Sequence, residues 1–511
     1  MLLSYSTLLP VLMAYAQLAK AEDYEIVGSF IFGRHNDREA KPATVLTPIG
    51  ATNQYITGQF YRERYFGINS DGERNDTSST LIKGLNDEGL FVDGQLYAEA
   101  ISSNVILFSH YAFLQGLYPP TNLVKADYVD EVMAELANGT VVENPLDGYQ
   151  YVKSNIQENA TDAYIHIKGD VNCPSLTSAT KKTMKSELWS TYSNESAEFL
   201  QSLYEYDFIK ETFSESELTF TNSMNIYDEL NVNTIHNATV AKEISEDVVR
   251  QVKVWSDLYQ WTLSDKTINT NLTIGAQSLL GNMVTRLNTT KVKGTPFLTY
   301  YTGSFNTMFQ LASILDLDQQ DERFKTMPDY GCTYVFELLS DSNEDIFVRF
   351  SFQNGTSELG QEPTSYALFN STDEIMPWDD FVTNAKNAGI SGVSTWCDVC
   401  GYNDGSDTAM LDMCVPYSNL YESAKQLEAE GVNLSSIDID SDDQDSGSNL
   451  TLADAGGIGA GVTIGVFIIL GAAFFLFKKV RSRKQTSPVL PLAKEDADHT
   501  HSESSTVKST A

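Results

Sequence analysis

The chain has 511 residues, enough for two to four globular units at about 100–200 residues each. Hydrophobic residues at 42% and aromatics at 11% supply a large packed core, which excludes a wholly disordered protein. A formal net charge of −35, from 34 Lys+Arg against 69 Asp+Glu, repels phosphate backbones, so no nucleic-acid partner is expected for the main body.

Residues 1–21 open with a run rich in Leu, Tyr and Ala and close on Ala19-Lys20-Ala21, a small-x-small cleavage pattern. No Lys or Arg precedes the run, but the pattern otherwise reads as a secretory signal peptide. Residues 22–130 are expected to form the first part of an α/β core. Within them Glu25 to Phe32 is a buried strand, rich in β-branched and aromatic residues, which runs into Gly33-Arg34-His35-Asn36-Asp37-Arg38. Thr47 then caps a helix with Pro48 at its first position, and Ile49, Tyr55, Ile56 and Phe60 lie near helical spacing.

Residues 131–290 are expected to form a helical cap. From about 185 the pattern turns helical: Ile244, Val248, Val252, Trp255 and Tyr259 mark one apolar face, and Ile274 to Leu287 suggests another helix. Residues 291–420 return to the core. Phe297 to Tyr301 reads as a strand feeding a helix that begins near Ser304. Cys332 to Leu339 and Ile346 to Gln353 read as a hairpin, and a helix is expected from about Met376 to Ala388.

Residues 421–455 form an acidic Ser/Asp stalk. Asp438, Asp440 and Asp442 mimic the start of a calcium loop, but Asp443 stands at the required glycine and the terminal glutamate is absent, so no metal is expected. Residues 456–477 are 22 residues without a charge, long enough to cross a bilayer of roughly 30 Å. Lys478, Lys479, Arg481, Arg483 and Lys484 follow as a positive-inside stop signal. Residues 478–511, with seven Lys+Arg against four Asp+Glu, are then a cytoplasmic tail, and the acidity belongs to the outer part. The expectation is a single-pass type I protein of the plasma membrane or another secretory-pathway membrane, with its large domain extracellular or lumenal. Gly457, Gly461 and Gly465 either face lipid or pack two spans as a homodimer.

Eleven Asn-x-Ser/Thr sequons precede the span and none follows it, as a glycosylated ectodomain requires. Five cysteines suit one or two disulfides among Cys173, Cys332, Cys397, Cys400 and Cys414, with one thiol free or paired between chains. Zinc at Cys397-x-x-Cys400 lacks a fourth ligand.

The chemistry gathers at the end of the first strand. A guanidinium pair holds phosphate bidentately, and a neutral imidazole between them is a nucleophile toward phosphorus. The run Arg34-His35-Asn36-Asp37-Arg38 resembles the Arg-His-Gly-x-Arg signature of the histidine acid phosphatases, of the histidine phosphatase superfamily. Leu46-Thr47-Pro48-Ile49-Gly50, Gly58 and Arg62-Glu63-Arg64-Tyr65 are similar to the helix that follows it in that family. Phe113 to Pro120 and Asn138-Gly139-Thr140-Val141-Val142 resemble its fungal, membrane-anchored branch.

The resemblance implies a phosphoglycerate mutase-like α/β core sheet flanked by helices, with an inserted, mainly helical cap. It also implies hydrolysis of phosphomonoesters through a phosphorylated His35, with Arg34 and Arg38 holding the phosphate and no cofactor. The sequence departs from the family at four positions. Asn36 replaces a glycine, where its side chain would crowd a phosphate nearing the backbone. Val105 stands near the place of a further arginine, and Ser304-Phe305 replace a His-Asp pair that contacts phosphate and protonates the leaving alcohol. Asp37, beside the nucleophile, is the remaining candidate proton donor. His110 is expected to be packed, and His166 and His236 to be ordinary cap residues. Two functions follow: an active phosphatase, or a catalytically degenerate relative that binds or senses phosphate or a phosphomonoester.

Overall fold

The computed structural model describes residues 24–121, 134–159, 161–402 and 411–418. All lie in the first of two compact units, Met1–Ile458; the second, Gly459–Ala511, contains none. The signal segment 1–21, the stalk 421–455, the span 456–477 with Gly457, Gly461 and Gly465, and the tail 478–511 lie outside the described residues. Among the described residues no helix is long and apolar enough to cross a membrane.

A mixed eight-stranded sheet forms the centre, in the order β3-β2-β4-β1-β5-β6-β7, with β8 also on β6. β1 (Glu25–Arg34) is central, parallel to β4 (Leu298–Gly303) and antiparallel to β5 (Thr333–Ser340). β2 (Leu96–Ile101) and β3 (Asn155–Gln157) extend the parallel half. β6 (Ile346–Gln353), β7 (Thr364–Tyr366) and β8 (Ile375–Pro377) complete the antiparallel half. Both faces of β1 are covered, which is why it reads as an unbroken apolar run rather than an alternating one.

On one face Ile26 and Ile31 meet Tyr61 and Tyr65 of α1 (Pro48–Phe66) and Phe113 and Leu117 of α2 (Asn104–Leu117). On the other, Phe30 and Phe32 pack with Leu279, Met283 and Leu287 of α7 (Ile274–Lys293) and Met308 and Leu311 of α8 (Phe305–Ile314). Thr47 accepts the Gly50 N–H at 3.1 Å, Pro48 fills the first turn of α1, and Gly67 ends the helix at φ +73°. α1 and α2 cross at two glycines because nothing larger fits. A Cβ on Gly58 would lie 2.1 Å from the Phe113 carbonyl oxygen, and one on Gly116 1.9 Å from that of Tyr55.

Between β3 and α7 come α3 (Pro174–Thr183), α4 (Glu187–Ser202), α5 (Ser223–His236) and α6 (Glu246–Thr262). α4 to α6 close a separate apolar cluster around Leu200, Ile226, Leu230 and Val252. β3 and α7 lie in the 131–290 range expected of the cap, yet both pack with the core sheet. α9 (Trp378–Ala388) starts two residues later than the sequence suggests. The residue before a proline is pushed toward extended backbone, so Met376 pairs with Val348 in β8 instead. α10 (Gly392–Val399) carries Cys397; the disulfides are Cys173–Cys400 and Cys397–Cys414, which consumes both thiols of the Cys-x-x-Cys run. Cys332 is free and buried, and burial pushes its thiol up to about 12.

Candidate functional site

Adjacent parallel strands β1 and β4 end together, Arg34 opposite Gly303, so the residues beyond them are brought side by side. The His35 N–H donates to the Gly303 carbonyl at 3.1 Å, and the His35 carbonyl accepts from Gly331 at 3.3 Å. This stitching fixes the loop between the ends of β4 and the start of β5. The imidazole is 5% exposed, and its Nδ1 lies 2.9 Å from the Asn36 carbonyl. A carbonyl only accepts, so Nδ1 carries the proton, and no hydrogen bond to the Nε2 lone pair is found among the described residues. Burial drives the His35 pKa down to about 3; Arg34, and less strongly Arg38 and Lys168, push the same way against the Asn36 bond. The ring is therefore neutral at pH 5.

Arg34 is buried and donates from Nη1 to the Pro328 carbonyl, while its Nε is buried without a partner. The guanidinium carbon stands 4.4 Å from the centre of the Tyr330 ring and 5.1 Å from that of Phe305. Arg38 forms a buried ion pair with Asp228 of α5, Nη2 to Oδ1 at 2.6 Å. A cavity of about 60 Å³ opens beside Arg34, lined among others by Met224, Tyr227, Asp228, Asn231 and Tyr330. It is far smaller than the roughly 300–1,000 Å³ of small-molecule pockets. A larger polar cavity of about 440 Å³, between the end of α1 and Gly360 to Glu362, has none of the His35 loop in its lining.

Asn36 is fully buried. Its N–H donates to Ser109 Oγ and its Nδ2 to Gln54 Oε1, both at 3.0 Å, and its Oδ1 accepts the Asp37 N–H at 2.9 Å. The side chain is thus drawn toward α1, while the backbone N–H is tied to α2. Gly331 answers it: at φ +72°, a Cβ there would lie 2.4 Å from Asn36 Nδ2. Asp37 is buried, with Oδ2 accepting from Thr47 Oγ1 and lying 2.8 Å from His236 Nε2.

The other departures sit as follows. Val105 is a core residue on α2. Ser304 caps α8 and meets Lys168 Nζ at 3.2 Å, while Phe305 faces Arg34. His110 is packed, with Nδ1 2.8 Å from Thr302 Oγ1, Nε2 2.7 Å from Ser154 Oγ and its ring stacked on Tyr300; burial lowers its pKa to about 3. Lys168, Asp228 and His236 escape sequence reasoning because each reaches the loop from at least 130 residues away, and no local spacing marks them.

The sequence profile of the histidine phosphatase superfamily, branch 2, matches residues 21–353. The chain belongs to the histidine phosphatase superfamily. That membership supports phosphomonoester hydrolysis in general. No curated protein sequence matches the chain. Among solved structures this chain is similar to the phytase of Klebsiella sp. ASR1, with 12% identity over 72% of this chain and 96% of that one, TM-score 0.49. It is also similar to the Citrobacter braakii phytase, at 14% identity, 74% and 99% coverage and TM-score 0.49. A third is the Bifidobacterium longum multiple inositol polyphosphate phosphatase complexed with inositol hexasulfate, at 14%, 72% and 94%, TM-score 0.42.

Proposed function

We propose that the protein is a membrane-anchored, glycosylated histidine acid phosphatase that hydrolyses small phosphomonoesters outside the cell or in a secretory lumen. The observation that carries the chemistry is the buried His35 at the shared end of β1 and β4, its Nδ1 engaged by the Asn36 carbonyl and its loop bearing Arg34 and Arg38. Nε2 attacks phosphorus, the N–P bond forms as the P–O ester bond breaks, and the leaving alkoxide takes a proton from the Asp37–His236 pair. Water then attacks the phosphohistidine, returns a proton to that pair and releases orthophosphate. Fixed cations around the transferring group stabilise the transition state without reorganising. The test is turnover of p-nitrophenyl phosphate near pH 5 by the wild type and His35→Ala. Activity lost in the variant supports the reading; equal activity in both overturns it.

The anchor rests on the uncharged 456–477 run and its basic flank, and glycosylation on the sequons. Every described sequon asparagine is at least partly exposed, as attachment of a glycan requires. A homodimer through Gly457, Gly461 and Gly465 belongs to the same proposal.

A second reading, a binding or sensing ectodomain without turnover, is favoured by one feature. Asp228 occupies Arg38 while Phe305 packs against Arg34, so the anion site is partly filled by the chain itself. Orthophosphate-dependent thermal stabilisation without hydrolysis would select it.

A further inference from the structure

We infer that Lys168, whose ammonium is anchored beside the end of β4, joins Arg34 in holding the phosphoryl group at His35. The inference rests on His35 being the phosphate-facing imidazole and deepens that reading by naming the clamp.

Arg34 makes no ion pair among the described residues, and its Nε finds no hydrogen-bond partner among them. Lys168 Nζ forms an ion pair with Asp170 Oδ2 at 3.3 Å and meets Ser304 Oγ at 3.2 Å. An ammonium has three donors, so one N–H remains for a ligand. A phosphohistidine carries up to two negative charges, enough to engage Arg34 and that remaining donor together.

Placement supports the same choice. Ser304 follows Gly303, whose carbonyl holds the His35 N–H, so Lys168 is anchored one residue from the nucleophile's own backbone partner. Three elements pin the segment that carries Lys168. Ser278 Oγ donates to the Ile165 carbonyl at 2.7 Å, Thr307 Oγ1 to that of Ile167 at 3.3 Å and Trp396 Nε1 to that of Gly169 at 2.9 Å. A long lysine stem held this way meets an anion with little ordering left to do. The downstream imidazole that the sequence lacks at Ser304 is thereby replaced by a cation from a distant segment.

The experiment compares full-length wild type, Lys168→Met, Lys168→Arg and Arg38→Met, measuring orthophosphate binding by calorimetry and p-nitrophenyl phosphate turnover. Lys168→Met is expected to weaken orthophosphate at least about tenfold and to lower kcat about 100–1,000-fold. Lys168→Arg should restore most of both, and Arg38→Met gives the size of the loss when a cation of the His35 loop itself is removed. If Lys168→Met fails to fold, Ser304→Ala decides, since loss of the lysine's anchor should weaken binding severalfold. Orthophosphate binding unchanged by Lys168→Met, or by Ser304→Ala in its stead, overturns the clamp, as does a wild type that binds no orthophosphate. A wild type that binds orthophosphate without turnover overturns only the hydrolytic reading, and the binding comparison still decides the clamp.

Discussion

Two buried arginine–carboxylate pairs behave differently, and the contrast separates scaffold from site. At the first, Glu337 of β5 is fully buried and every lone pair is used. Its Oε1 accepts Arg64 Nε and Nη2 at 3.0 and 2.9 Å and the Tyr65 hydroxyl at 2.9 Å, and its Oε2 accepts two donors of Arg349. Although burial opposes it, Arg64 and Arg349 hold the Glu337 carboxyl below its usual range. At the second, Asp228 uses Oδ1 for Arg38, while Oδ2 is buried without a hydrogen bond and Lys41 stands 3.7 Å away. The first pair lies within the core; the second joins the core loop to α5. A saturated pair gains nothing from exchanging partners, whereas an under-coordinated one does.

The largest test of this difference is Glu337→Ala, which strands Arg64 and Arg349 and should cost about 3–5 kcal/mol by urea denaturation. A cost below about 1 kcal/mol would remove the distinction from Asp228. Acid sharpens the picture next. His35 and His110 are each held down to about 3 by burial, against about 6.5 unfolded, so below pH 6.5 the unfolded chain binds protons the folded chain refuses. Their stability is fully present above pH 6.5 and is lost as pH falls toward 3, by about 2 kcal/mol each at pH 5. The slope of Tm with pH below about pH 6.5 should therefore become shallower in His110→Asn. An unchanged slope would exclude His110 as a source.

Asp228→Asn comes third. It releases Arg38 without removing bulk, and orthophosphate affinity should rise about tenfold by calorimetry, or about 1.4 kcal/mol. Unchanged affinity would show that Asp228 does not compete for the anion. Smallest is Thr47→Ala, which removes both the α1 cap and a donor to Asp37 and should cost about 1 kcal/mol in thermal unfolding.

Much of the fold was legible because its signals are local. The apolar run of β1, the Thr47-Pro48 cap and the β5–β6 hairpin each depend on neighbours in sequence, as does the Arg34–Arg38 run at the end of β1. Pairing across the sheet was not legible, so β3 and α7 were grouped with the cap. The site was half legible for the same reason. His35 and Arg34 announced themselves, whereas the burial of Arg38 against Asp228 and the arrival of Lys168 and His236 depend on folding over long separations. His236 in particular reads as an ordinary cap residue until α5 sets it 2.8 Å from Asp37.

The account turns on covalent capture by one imidazole, and trapping that intermediate tests it most directly. Protein quenched in alkali during turnover of a phosphorus-labelled ester, then digested and mapped, should carry label on the peptide containing His35, in an acid-labile linkage absent from His35→Ala. Turnover proceeding with no label there, or with label on another residue, would contradict it.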